Sequence, residues 1–338
     1  MDYKEAYIEK MICHRFSLDK QRSLVNHKEM DMGKLDQAFL KDFFVKPFSR
    51  EKSEYTFVHT IDLKYNIIYN TVLDMFQGGD FVNDSISIYK HLESVSSLPT
   101  IKDGDIFIVK IEDVLNGNAY CDAIGIFKIE TKNEFIETSV DRNGYLDIRV
   151  KTGYTSQKID KACLIVFTDV MLFFFIFYRS KDTKFWCHDF LGMAIKQTSY
   201  NQSKALTSMM EGFIKDKLAK ENIMSKCEQI EFVNHYTSLL SRAEVIDLAE
   251  LQEQVFQDKK LSDMFDEYRK IYEEQENVSF DSRLTLSHSA ANMSKKYRKI
   301  LLDDTVELYL LKTGDFVERG YDDARGKYFY KLFFIKEK

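Results

Sequence analysis

The stretch Asp105–Ile129, DIFIVKIEDVLNGNAYCDAIGIFKI, decides the fold. Two runs rich in Ile, Val and Phe, Asp105–Val114 and Cys121–Ile129, flank Asn116-Gly117. Asn-Gly supplies the positive φ angles that tight hairpin turns need. The dipeptide returns at Asn143-Gly144, between Phe135–Val140 and Tyr145–Val150. Ala162–Phe167 and Met171–Tyr178 make a third pair of strand-like runs. Consecutive hairpins predict an antiparallel meander rather than a parallel nucleotide-binding sheet.

Upstream, short strand-like and helical pieces alternate. Ala6–Phe16 reads as an opening strand, and Leu35–Val45 as a helix that stops before Pro47. Asn66–Gln77 reads as a second helix, closed by Gly78-Gly79. Asn83 or Asp84 is expected to cap a third, running to about Ser96.

After Trp186 the apolar period becomes helical. Leu206, Met209, Met210, Phe213 and Ile214 share a face of a helix beginning near Ser199. Ser225 with Glu228, and Ser241 with Glu244, have the S-x-x-E spacing of capping boxes. Asp258 is expected to open another helix. Ser289–Tyr297 then reads as a short helix, followed by strands Thr305–Leu311 and Lys327–Ile335 with turn-like Tyr321–Gly326 between them.

Together these predict an α+β protein. Residues 1–190 form a mixed, mainly antiparallel sheet with helices, and residues 191–338 a helical domain ending in a small helix and β-ribbon. Heavy use of Phe (27) and Tyr (19) beside only 2 Pro argues against long disordered linkers. The five cysteines are scattered without a CxxC pair, which fits reduced thiols in a cytosol. MDYKEAYIEK has no apolar run, so no signal peptide is expected. Cys163–Tyr178 is too short for a bilayer and carries Asp169, so it reads as two buried strands and no membrane span.

No complete catalytic motif appears. Cys187-His188-Asp189 and Cys13-His14 are sequence neighbours whose side chains diverge on a regular element. Ser287-His288 with Asp281 has no nucleophile elbow, and no Gly-rich phosphate loop is present. No enzyme activity, cofactor or metal is therefore expected.

A net charge of −6 counts against a protein that coats nucleic acid, so any contact needs a local patch. Ala243–Glu276 carries eleven acidic and four basic residues, whereas Asp281–Lys338 carries twelve basic and nine acidic. Lys295, Lys296, Arg298 and Lys299 crowd around Tyr297. The terminal module is thus the one electrostatic footprint available to phosphate.

The order of these pieces resembles the bacterial nucleoid-associated family of the NdpA type. The resemblance runs through HDFLG (His188–Gly192), Asn201-Gln202-Ser203-Lys204, the helix around Phe232–Leu240, the acidic helices, and the terminal ribbon at Glu318-Arg319 and Tyr328–Phe334. It extends more loosely to IEKMICH (Ile8–His14), DGDIFIVK (Asp103–Lys110) and AIGIFKI (Ala123–Ile129). It implies association with the nucleoid of a bacterial cytoplasm, hence a DNA or DNA-bound protein partner, and brings no catalytic residue with it. Local charge nominates Lys295, Lys296, Tyr297, Arg298, Lys299, Arg319, Arg325 and Lys327 as DNA contacts. Two rivals stay open: an interaction scaffold acting through the acidic helices, and a metal-dependent nuclease hidden among the carboxylates. Homo-oligomerisation stays open as well.

Overall fold

The computed structural model describes residues 2–96, 101–156, 159–168, 171–177, 185–221, 223–256, 258–276, 278–287, 299–303, 305–310 and 317–336. The protein is α+β, and its chain divides into two compact units, Met1–Lys196 and Gln197–Lys338.

The first unit contains β1 (Tyr7–Phe16), α1 (Gln37–Phe44), β2 (Tyr55–Phe57), α2 (Ile67–Phe76) and α3 (Phe81–Val95). Then come β3 (Gly104–Asn116), β4 (Ala119–Ile129), β5 (Asn133–Val140), β6 (Leu146–Gly153), β7 (Lys161–Val166), β8 (Leu172–Phe177) and β9 (Met193–Ile195). Seven of the strands form one sheet in the order β1-β3-β4-β7-β8-β2-β9, with every pairing antiparallel. The predicted meander is therefore β3-β4-β7-β8. The hairpin β5–β6 stands apart as a two-stranded ribbon inserted between β4 and β7.

Helices cover both faces of this sheet, which is why its central strands read as unbroken apolar runs. Ile106, Ile108, Ile124, Ile126, Cys163 and Ile165 pack with Ile68 and Val72 of α2 and with Ile88 and Leu92 of α3. The alternate residues Val109, Ile111, Phe127, Leu164 and Val166 pack with Leu40, Phe43 and Phe44 of α1. The split follows the two-residue period of a strand. Each fully buried side chain of this kind contributes about 1.5–3 kcal/mol.

Local chemistry places the helix starts. Asn66 caps α2 by accepting from the Tyr69 amide at 2.9 Å, and Gly78 (φ +90°) follows the helix end. The cap of α3 is Asp80, not Asn83 or Asp84: its carboxylate accepts from the Val82 and Asn83 amides, both at 3.1 Å. A short carboxylate directly after the Gly-Gly break can cap at once, so the helix starts earlier than its apolar face suggests. In the β3–β4 turn only Gly117 takes positive φ (+63°), at the first central position, as a type II′ turn requires.

The second unit begins with α4 (Ser199–Phe213), which runs into a π-helical turn, Ile214–Ala219. It continues with α5 (Lys226–Arg242), β10 (Val245–Asp247), α6 (Leu248–Val255), α7 (Lys259–Glu276) and β11 (Arg283–Thr285), the last paired with β10. Phe213 meets Phe256, Phe265 and Tyr268 edge-on at 5.3–5.8 Å. The capping box of Ser225 and Glu228 is fully formed. The second expected box is not: Ser241 lies in the last turn of α5 and donates to the Ser238 carbonyl. A strand, β10, follows, and Asp247 caps α6. Burial of Tyr236 and Leu240 holds α5 through Ser241, so its hydroxyl is spent inside the helix.

Two ribbons close the chain, where one had been expected: β12 (Lys299–Leu302) with β13 (Val306–Tyr309), and β14 (Val317–Asp322) with β15 (Lys327–Leu332). The expected helix Ser289–Tyr297 lies outside the described residues. No described helix is long and apolar enough to cross a membrane.

Candidate nucleic-acid interface

The β14–β15 ribbon turns through Asp323–Gly326, where Gly326 takes φ +61° and the Asp322 carboxylate accepts from the Arg325 amide at 3.1 Å. Cross-strand register sorts its side chains. Arg319 and Tyr321 lie opposite Tyr330 and Tyr328 on one face, while Glu318 and Asp322 lie opposite Lys331 and Lys327 on the other. Gly320 leaves room for the Phe329 ring packed across it; a Cβ there would force that ring to move.

The ribbon is anchored at one end. Val317 and Tyr330 pack on Ile230 of α5, Ile300 of β12 and Leu310. Burial pushes the Tyr330 hydroxyl's pKa up. Away from the anchor, the same face opens to solvent. The Arg319 guanidinium lies 4.4 Å above the Tyr328 ring, and that ring meets Tyr321 edge-on at 4.9 Å. Tyr321 and Tyr328 are 51% and 66% exposed, so the Arg–Tyr–Tyr ladder is available to a ligand. A guanidinium held over a ring is pre-organised for phosphate, and exposed tyrosines can stack on bases.

The structure thus brings together three of the nominated residues, Arg319, Arg325 and Lys327, and adds Lys331. Arg325 and Lys331 have loose partners, at 3.7 Å to Asp322 and 3.6 Å to Glu318. Arg319 and Lys327 have no ion pair among the described residues. Lys299 is not at the end of a helix, as the charge cluster suggested, but on β12, where it pairs with Glu307 across the ribbon. That partner offsets its charge. Lys295, Lys296, Tyr297 and Arg298 lie outside the described residues. The tyrosine ladder is not legible in the sequence because Val317–Asp322 reads as no strand, which hides the partner of Tyr328; alternating Tyr328 and Tyr330 is the available signal, and Lys331 lies on the expected strand without standing out by charge.

Other candidates fare differently. An open concavity of about 430 Å³ in the first unit is lined by Arg15, Arg22, Lys132, Asp103, Asp105 and Glu130. Its charges largely consume one another. Arg15 pairs with Asp105 at 2.8 Å, Arg22 with Asp103 at 3.4 Å, and the Tyr154 hydroxyl donates to Asp105 at 2.8 Å. Beneath it, Glu130 receives both Lys128 and Lys161 at 2.6 Å, all three nearly inaccessible. Cys13-His14 is not a nucleophile pair. Burial raises the Cys13 thiol to about 12 and lowers the His14 imidazole to about 4, leaving both neutral. Among the described residues, no group of three or more His, Cys, Asp or Glu is placed to hold a metal ion.

Two of the motifs that carry the resemblance are packing devices. Gly192 of HDFLG takes φ +60° and lies against Asn66, whose amide donates to the Gly192 carbonyl at 2.8 Å. Ser203 of the polar run after Tyr200 accepts from the Ser287 amide at 2.9 Å, and Gln202 donates to Asp281 at 3.3 Å. These bonds hold the segment around β11 against α4.

The protein is thus an acidic α+β chain with an exposed Arg–Tyr–Tyr ladder on its last ribbon. The sequence matches, over residues 12–328, the family described as nucleoid-associated protein YejK, and the chain belongs to that family. No curated protein matches it.

Proposed function

We propose that this chain acts in the nucleoid of a bacterial cytoplasm by binding DNA directly, without catalysis, through the β14–β15 ribbon. The Arg319–Tyr328–Tyr321 ladder carries the reading: it combines a pre-organised cation with exposed rings on a two-stranded ribbon. A ribbon of this width fits the major groove, where Lys327, Lys331 and Arg325 would reach flanking phosphates. A second reading has its own observation: the eleven acids against four bases of Ala243–Glu276 favour a basic protein partner. On that reading the acidic helices dock onto a DNA-bound protein.

Duplex binding across a salt series tests this. Four phosphate contacts predict a slope of log K against log salt no steeper than about −4. The double variant Arg319→Glu, Lys327→Glu should flatten it by about 2. No binding at low salt would overturn direct contact and leave the partner reading. Loss of intact DNA on adding magnesium or manganese would overturn the non-catalytic assignment.

A further inference from the structure

The β5–β6 hairpin sorts its central side chains by face, with Phe135 and Glu134 the exceptions at its base. One face carries two ion pairs, Lys151 with Glu137 at 2.7 Å and Arg149 with Asp147 at 3.6 Å. The other carries Ile136, Val140, Leu146, Ile148 and Val150, all 64–77% exposed. Apolar-in, polar-out alternation is the pattern of a sheet with one covered face. Among the described residues of the first unit no further strand pairs with it: the ribbon is two-stranded, and the five apolar side chains face solvent. An isolated hairpin is marginally stable in water, and a contiguous apolar stripe on a surface marks a contact site.

The geometry points to a second copy of this chain as the occupant: β5–β6 is a dimerisation arm that packs apolar face to apolar face across a two-fold axis. The proposal extends the DNA-binding reading but rests on a different part of the molecule. Along its three central rungs the apolar face offers no charge, and only Thr138 there has a hydrogen-bonding side chain; Glu134 and Thr152 form the outer rung. Nucleic acid or a charged peptide would find nothing to pair with there, whereas an identical stripe complements it. The rungs are Ile136–Val150, Thr138–Ile148 and Val140–Leu146. A two-fold axis through the middle rung sets Ile148 on Ile148, Ile136 on Val140, and Val150 on Leu146. That is an isologous contact, closed at two copies. Side chains whose burial is worth about 1.5–3 kcal/mol at ~25 cal/mol per Å² each hide about 60–120 Å². Ten of them, five from each arm, bury on the order of 1,000 Å², the lower end of specific interfaces. A reversible dimer follows. A lipid surface suits the arm less, because the outer edge of each strand presents unpaired backbone groups that hydrocarbon cannot satisfy.

Sedimentation of the full chain over about 1–100 µM, the range for weak interfaces, should show a monomer–dimer equilibrium. Ile148→Glu and Ile148→Lys each place like charges at the two-fold axis and should raise the dissociation constant about a hundredfold or more. Mixing the two variants should restore dimers, since opposite charges then meet. Unchanged fluorescence of Trp186, the single tryptophan, checks that each variant is folded. A monomeric wild type, variants that associate as the wild type does, or no recovery on mixing would each overturn the proposal. So would binding to neutral phosphatidylcholine vesicles that Ile148→Glu abolishes in a protein showing no dimer. No DNA is present, so this result and that of the salt series are independent.

Discussion

Lowering the pH from 7 to 5 should cost the first unit about 2 kcal/mol through His14 alone. The side chain is fully buried on β1. Its Nε2 lies 3.1 Å from the Ser85 hydroxyl, which itself donates to the Val82 carbonyl at 2.7 Å. Ser85 must therefore accept, and Nε2 carries the hydrogen. Nδ1 accepts from the Asn26 amide at 3.2 Å. Protonating Nδ1 would aim one donor at another, and burial, helped by nearby His27, lowers the imidazole's pKa from 6.5 to about 4. The unfolded chain thus binds a proton that the folded protein refuses. Stability is fully present above the unfolded value and is lost as pH falls from about 6.5 toward 4, with 2.3RT per pH unit setting the slope. Asp84, raised to about 6 by burial near Asp74 and Asp80, titrates with the opposite sign, so only a difference isolates His14. Urea unfolding followed by Trp186, buried in the same core cluster as α2 and α3, should give wild type a loss between pH 7 and 5 about 2 kcal/mol larger than His14→Gln shows. Parallel pH profiles for the two proteins would refute the reasoning, as would a His14 imidazole found by NMR to protonate near 6.5 in the folded wild type.

Glu130→Gln should destabilise the first unit by about 3 kcal/mol or more, because buried Lys128 and Lys161 lose their shared countercharge; a cost below about 1 kcal/mol in the same urea assay would show that the site hydrates. Ser225→Ala should cost about 1 kcal/mol by removing one half of the α5 capping box, measured by far-ultraviolet circular dichroism in urea. An unchanged midpoint would mean that tertiary packing alone fixes the start of α5.

Much of this fold is legible locally. The β3–β4 hairpin announces itself twice, by Asn116-Gly117 and by apolar runs that fill both faces of a covered sheet. What local reading cannot supply is which hairpin joins the sheet. Phe135–Val140 and Ala162–Phe167 look equally strand-like, yet β7 has every residue buried, while β5 alternates and projects. The distinguishing signal is the charge at alternate positions, Glu137, Asp147, Arg149 and Lys151, which a doubly covered strand would have to desolvate. Ser241 misled for a related reason. Its S-x-x-E spacing is right for a cap, but Tyr236 and Leu240 keep the helix going past it, and tertiary burial outranks a cap worth about 1 kcal/mol.

The candidate interface shows where charge counting stops being informative. Counting ranks Lys299 with Arg319, since both are cations in the basic terminal module. Pairing separates them. Lys299 faces Glu307 across β12–β13, so its field closes on its own ribbon, whereas Arg319 sits over the Tyr328 ring and bonds the Tyr330 hydroxyl, neither of which carries an opposing charge. An aromatic partner positions a guanidinium without neutralising it; a carboxylate does both. An acidic protein can therefore hold an available cation on a ribbon whose neighbours are paired with carboxylates. The register that makes this so, Tyr321 opposite Tyr328 and Arg319 one rung away, depends on the turn at Asp323–Gly326 and on Gly320 yielding to Phe329. Those are two backbone facts that no residue count contains, and they make the ribbon the part of the chain to test first against DNA.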